Sequence, residues 1–381
     1  MSGGIVQLVA TGAQDAWLTG KPEVSFYRSS YKRYTHYANS PERQLIQGNP
    51  SAGNISTIRL EKKGDLINYM YLIAKDSTGA LIPGINWTNV IDKIELLIGG
   101  QIVDTQDINW MSNVEAVTGA QNFSQRFLNN NATGPNNITN GFLPLKFFFC
   151  KDWNVSLPLV ALQYHDVEIR ITWSPNLGTT LALTGLPATA AYSSFQYEAW
   201  TNFVYLDQAE REYFANTPMD MLITQVNRIP IGTQNMQELA LAHPTKFLAF
   251  SSNNYTAAYT ANVAVLPSSN YQFKTQINGV DVGDSRSMFQ WIDVPQYYHT
   301  PYGYNHNNAT ANVALISYCL DTSKLQPTGT LNFSRIDTYR IVAPAGVSLS
   351  TLSGAAGNYF YAMNYNVLRI KDGMAGQLYS N

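Results

Sequence analysis

The sequence predicts an all-β chain organised as a double jelly roll: two eight-stranded antiparallel β-sandwiches with a few short helices in the connections. Three observations carry that prediction. Apolar and polar residues alternate at period two in several segments, the pattern of strands with one buried face. Clusters of Gly, Pro and Asn separate these segments, as turns require. One strand–turn–strand pattern also occurs twice, around Gly100 and Gly279, and this offset of 179 residues implies two copies of one β-domain.

In YHDVEIRITW, Val167, Ile169, Ile171 and Trp173 share one face of a strand, while Asp166, Glu168, Arg170 and Thr172 share the other. In YQFKTQING, Tyr271, Phe273, Thr275 and Ile277 alternate with Gln272, Lys274, Gln276 and Asn278. The segments NNNATGPNNITNG and SPNLGTTLALTGLPATAAYSS read as surface loops. The repeated pattern is IELLIGGQIVDTQDINWM in the first half and FKTQINGVDVGDSRSMFQW in the second, and Cys150 and Cys319 stand at a similar offset of 169 residues. Helical signals are few. The clearest is LDQAEREYFANTP, where Asp207 and Glu210 are placed for a capping box and Pro218 ends the segment.

These signals divide the 381 residues into an N-terminal arm (1–23), a first jelly roll (24–206), a linking helix (207–218) and a second jelly roll (219–381). Gly12 and Gly20 give the arm flexibility, Lys21-Pro22 leads into a strand at VSFY, and SYKRYTHY is expected to form a turn or short helix begun by Ser29 or Ser30.

Charged residues make up 13% of the chain, against roughly 25% in an average soluble domain. With a net charge of −2 the long-range field is weak, so direct contact with nucleic acid is not expected. Two cysteines in apolar settings, FFFC and ISYC, are too few for a disulfide framework or a Cys-rich zinc site and read as reduced core residues. IVQLVA is too short for a signal peptide, Ser2 excludes the Met-Gly start of myristoylation, and no apolar run is long enough to cross a bilayer. A soluble cytoplasmic product is expected.

Catalytic patterns fail on spacing. TGAQDAWLTGK puts seven residues between Gly12 and Gly20 and Pro22 after Lys21, which rules out a phosphate loop. His165 and Asp166 are neighbours on a strand, so they point to opposite faces and do not form a base with its orienting carboxylate. His36, His243, His299 and His306 show no metal-ligand rhythm, and the last two fall in a tyrosine-rich loop, YYHTPYGYNHNN. No cofactor or metal is expected, and no Ser sits in a GxSxG elbow. SYKRYTHY interleaves aromatics with basic residues, as single-strand nucleic-acid sites do. In a near-neutral chain the same composition suits a buried protein contact, which makes Trp17, Arg28, Tyr31, Lys32, Arg33 and Tyr34 the candidate assembly residues. Two rival classes share the sandwich: a carbohydrate-binding protein, and a glycoside hydrolase with a carboxylate pair in a cleft.

Four segments carry a resemblance. GAQDAWLTGKPEVSFYRSSYKRYTHYA, PLKFFFCKDWNVSLPLVALQYHDVEIRITW, LNFSRIDTYRI and MNYNVLRIKDGMAGQLYSN resemble, in order along the chain, the major capsid proteins of nucleocytoplasmic large DNA viruses. The resemblance implies a double jelly roll and a homotrimer whose six sandwiches form a pseudo-hexagonal capsomer. It implies that such trimers tile an icosahedral shell around an internal membrane and a double-stranded DNA genome, made and assembled in host cytoplasm. It implies partners too: neighbouring trimers, minor capsid and penton proteins and, through minor proteins, the internal membrane. Outward loops that carry large insertions in many members look modest here. The family places the SYKRYTHY region toward the base of the capsomer and supplies no active site. A minor capsid protein of the same kind of virus is the nearest alternative, although such proteins usually carry one sandwich.

Overall fold

Strand pairing follows the alternation and, among the described residues, divides the strands among four sheets. The computed structural model describes residues 3–82, 85, 87–119, 142–179, 191–251, 272–301, 313–350 and 359–379. The chain forms two units, Met1–His36 and Tyr37–Asn381. In the first, α1 (Gly3–Val9) and α2 (Asp15–Thr19) are short helices that bury no residue. The Asp15 carboxylate accepts from the Gly12 N–H at 2.6 Å and so organises the turn into α2. The expected strand at Val24–Tyr27 is not formed, and Ser29–His36 is irregular rather than a turn or helix. A strand persists only where a neighbour takes its N–H and C=O groups, and residues 3–36 contain no strand. The aromatic run with Thr35 has low helix propensity.

The second unit begins with β1 (Tyr37–Gln44), β2 (Ile46–Gln47), β3 (Ile55–Arg59), β4 (Leu66–Lys75), β5 (Ile91–Ile98), β6 (Gln101–Gln106), β7 (Phe142–Pro144), β8 (Leu157–Pro158), β9 (Val167–Trp173) and β10 (Gln196–Leu206). It continues with β11 (Met219–Pro230), β12 (Met236–Glu238), β13 (Pro244–Ser251), β14 (Gln272–Ile277), β15 (Val280–Asp281), β16 (Arg286–Ser287), β17 (Val313–Ser317), β18 (Leu331–Asn332), β19 (Tyr339–Val342), β20 (Tyr359–Lys371) and β21 (Met374–Gln377). The sheets are β1-β10-β4-β7 and β3-β9-β5-β6 in the first half, and β11-β20-β13-β17 and β12-β19-β14-β15 in the second. The short strands β2, β8, β16, β18 and β21 pair alongside these. Counting, among the described residues, the eight principal strands of each half in chain order, one sheet takes the first, eighth, third and sixth, and the other takes the second, seventh, fourth and fifth. Both halves follow this order. It is the jelly-roll topology, present twice.

The alternation sorts the side chains as expected. Val167, Ile169, Ile171 and Trp173 are all buried, while Glu168, Arg170 and Thr172 are half-buried. Phe273 and Thr275 are buried on β14, and Tyr271 lies outside the described residues. The repeated pattern folds into two hairpins with matching turns. Gly99 and Gly100 take φ of 58° and 81°, Asn278 and Gly279 take 48° and 81°, and two successive positive values define the tight turn that suits strand twist.

Helices account for most departures from expectation. The expected helix is α4 (Gln208–Asn216), with α3 (Glu115–Thr118) before it. Asp207 caps α4 by accepting from Gln208 N at 2.8 Å, without the reciprocal bond from Glu210. A capping box closes α5 (Met288–His299) instead: Ser287 Oγ accepts from Gln290 N at 3.5 Å, and Gln290 Oε1 accepts from Ser287 N at 3.0 Å. This helix occupies an aromatic segment and the start of the supposed tyrosine-rich loop. Met288, Trp291 and Ile292 are its buried stripe at helical spacing, and the internal Pro295 disguises the pattern. In SPNLGTTLALTGLPATAAYSS, Leu177 and Tyr192 are buried in the first core, so its described ends are packed elements and not surface loop. Residues 180–190 and NNNATGPNNITNG lie outside the described residues.

Candidate functional site

All six candidate assembly residues fall in the first unit and are exposed. Trp17 on α2 is 91% exposed, Tyr31 91% and Tyr34 85%, with Arg28, Lys32 and Arg33 also exposed. Leu18, Val24, Phe26 and Tyr27 of the same unit are exposed as well. An apolar set this dense is unusual on a free surface.

The candidate catalytic groups do not converge. The His165 ring is half-buried, with Nδ1 2.9 Å from Ala375 O and 3.2 Å from Ala375 N. It packs on Gly99, where a Cβ would lie 2.5 Å from Nδ1. Asp166 faces the other way, pairing with Arg59 and, at 3.8 Å, with Lys62. Among the described residues no group of three His, Cys, Asp or Glu side chains could hold a metal. Cys150 and Cys319 are buried free thiols, and burial pushes Cys150 up to about 12, far from the range of a nucleophile.

What the second unit does bring together is a junction between its two sandwiches. On β13, Leu248 and Phe250 enter the core of the second sandwich while Phe247 and Ala249 join the first core. On β20, Phe360 and Ala362 face one way, Tyr361 and Met363 the other. A sheet covered on both faces reads as a continuous apolar run. FLAF and FYAM are such runs, and they were the available signal for a junction that period-two reasoning passes over. Trp110, fully buried after β6, stacks on Phe247 with ring centroids 6.2 Å apart and tilts against Tyr361 at 5.6 Å.

Carboxylates pin this apolar contact. Asp104 on β6 is buried; its Oδ1 accepts from Val226 N on β11 at 2.8 Å and its Oδ2 from Gln106 Nε2 at 2.7 Å. Burial pushes its carboxyl up to about 6, against the lowering effect of those bonds. Asp107 accepts from Trp110 N at 2.7 Å and pairs with Arg228 at 3.2 Å, and burial raises its pKa as well. The Arg228 guanidinium lies over the Tyr359 ring, 4.4 Å from its centroid. Backbone bonds reinforce the seam, with Tyr164 N donating to Gly373 O at 3.0 Å and Gln377 Nε2 to Ile102 O at 2.9 Å.

Two family profiles match the chain in succession. Residues 25–207 match the family described as major capsid protein N-terminus, and residues 210–376 match the large eukaryotic DNA virus major capsid protein. The chain is 31% identical to the major capsid protein of Paramecium bursaria Chlorella virus 1 and 29% identical to that of Pyramimonas orientalis virus, over 100% of each chain in both cases. It superposes on the capsid of the former virus with a TM-score of 0.71 at 25% identity, covering 94% of this chain and 100% of that one. The Faustovirus major capsid protein shares the fold at 11% identity, with a TM-score of 0.59 over 95% of this chain and 94% of that one. With the twin jelly rolls, these matches identify a structural component of the virion rather than an enzyme: the chain belongs to the major capsid proteins of large eukaryotic DNA viruses.

Proposed function

We propose that three copies of this chain form a homotrimer whose six sandwiches make a pseudo-hexagonal capsomer, and that such capsomers tile an icosahedral shell assembled in host cytoplasm. The observation that carries this reading is the strand order shared by the two halves. A chain with two sandwiches of one topology presents, in three copies about a threefold axis, six similar lobes. The sparsely charged composition supports it, because like charges repeated at every contact of a shell would repel.

Within this reading the chain divides into an arm (1–23), a sandwich (24–206), a linking helix (207–218) and a second sandwich (219–381). The first unit contacts neighbouring copies through Trp17, Arg28, Tyr31, Lys32, Arg33 and Tyr34, since aromatics and Arg are favoured where interfaces are fully buried. Minor capsid and penton proteins are the further partners, and minor proteins link the shell to the internal membrane. Sedimentation equilibrium of the purified protein tests the first step. From a chain of 42.3 kDa, a particle of about 127 kDa is expected, and a species that stays at the chain mass at micromolar concentration contradicts the proposal.

A further inference from the structure

We propose that α5 of one chain docks on the outer face of sheet β1-β10-β4-β7 of a second copy, repeating between chains the junction that joins the two sandwiches within one. The inference rests on the trimeric reading above and names the surfaces that hold the copies together.

A shared irregularity puts the two halves in register. β4 and β13 each carry a bulge, at Asn68 and Lys246, where the pairing with β10 and β20 shifts by a residue. Counted from the bulge, Tyr69 corresponds to Phe247 and Tyr71 to Ala249. The cross-strand rows then match as well: Arg43, Trp200 and Tyr71 stand side by side in one sheet, and Arg228, Tyr361 and Ala249 in the other. In the second sandwich this face receives the first sandwich, so Phe247 and Tyr361 are fully buried and Arg228 meets Asp107. In the first sandwich Tyr69, Tyr71 and Trp200 are half-buried, and the Arg43 side chain is 63% exposed against 19% for Arg228. Glu198 holds the row in place, 3.4 Å from Arg43 and 3.1 Å from Trp200 Nε1.

The elements that dock correspond too. Asp107 and Ser287 cap the helices that follow the repeated hairpins, each accepting from the N–H three residues on, at 2.7 and 3.5 Å. The first of these helices, residues 108–118, touches the second sandwich through Trp110 and Thr118. Every described side chain in it except Asn109 is buried. α5 buries one stripe and exposes another at helical spacing, Val294, Tyr297 and Tyr298, which are 47%, 61% and 71% exposed. Val103 and Val282, each three residues past its turn glycine, are 3% and 46% exposed. One surface is thus covered in the first half and exposed in the second.

Exposed apolar sets of this kind mark interaction sites, and Tyr, Trp and Arg are the side chains that dominate binding energy at the centre of an interface. Because the two surfaces differ, the contact is head to tail, each copy using both once, and such a contact closes into a ring.

Sedimentation equilibrium at micromolar concentration tests this with the unaltered full-length chain, an α5 variant (Tyr297→Asp with Tyr298→Asp) and a face variant (Arg43→Glu with Tyr71→Ala). The unaltered chain is expected at the trimer mass and each variant at the chain mass. An equimolar mixture of the two variants should move to the mass of two chains, because one of the contacts is intact between them. Trimers from either variant, or a mixture no heavier than its components, overturn the docking and leave the trimer standing. An unaltered chain at the chain mass overturns the trimeric reading itself, and the docking with it. Should one variant fail to fold, the mass of the other decides alone.

Discussion

Asp107 and Tyr361, 254 residues apart, meet across the junction: the phenol oxygen lies 3.0 and 2.8 Å from the two carboxylate oxygens. Both groups are buried, and Asn109 Nδ2 donates to the same phenol oxygen at 3.0 Å. With Arg228 on β11, the cluster ties the segment after β6 to two strands of the other sandwich. Its worth shows when one member is removed.

Asp107→Ala leaves the Arg228 guanidinium without its carboxylate and the Tyr361 hydroxyl without its acceptor. Breaking a buried pair in this way costs about 3–5 kcal/mol, while Tyr361→Phe, which removes one hydrogen bond to a charged group, costs about 1.5–3 kcal/mol. Urea denaturation reads both. The double variant should lose less than the two single losses added, because the residues share one network. Strict additivity would mean that they act separately.

The matched turns allow a paired comparison. Gly279→Ala meets nothing within 4 Å and costs only the strain of its positive φ, about 1–2 kcal/mol. Gly99→Ala adds the clash with the His165 ring and should cost clearly more, with His165→Ala restoring part of the difference. Equal losses at the two glycines would show that His165 yields without cost.

Asp104 sets a pH dependence. Its carboxyl is at about 6 in the folded chain, against about 3.9 when unfolded. Between those values the folded state holds more protons than the unfolded one. The contribution is complete below the unfolded pKa and is lost as pH rises through the folded pKa. Acidification from pH 7 to pH 5 should therefore add about 1 kcal/mol from this group, and Asp104→Asn should remove that increment. Asp293, which burial also pushes up to about 6, leaves the variant a residual slope. Denaturation midpoints at the two pH values decide, and an unchanged slope in the variant would shift the effect away from Asp104.

Deleting residues 1–23 should leave soluble trimers that no longer form ordered arrays under the electron microscope. Arrays of normal extent would remove the N-terminal segment from assembly.

The strands were readable where one face meets solvent: β9 and β14 carry the alternation because a half-covered sheet imposes it. The duplication was readable at its turns, since Gly100 and Gly279 both need a positive φ that few residues adopt. Local pattern misled at Val24–Tyr27, which has strand composition but no strand within its unit to pair with. It also misled at α5, where Pro295 and a cluster of aromatics mask a helical stripe. The junction was hidden for a different reason. Its sheet is apolar on both faces, and its polar clasps join residues 122 to 254 positions apart, a proximity that only the fold creates.

Class-averaged electron micrographs of the purified particle, viewed down its axis, test the central claim most directly. Six lobes in a hexagonal outline with threefold symmetry are expected, each chain supplying two adjacent lobes. A two-lobed single chain, or a ring without a threefold axis, would contradict it.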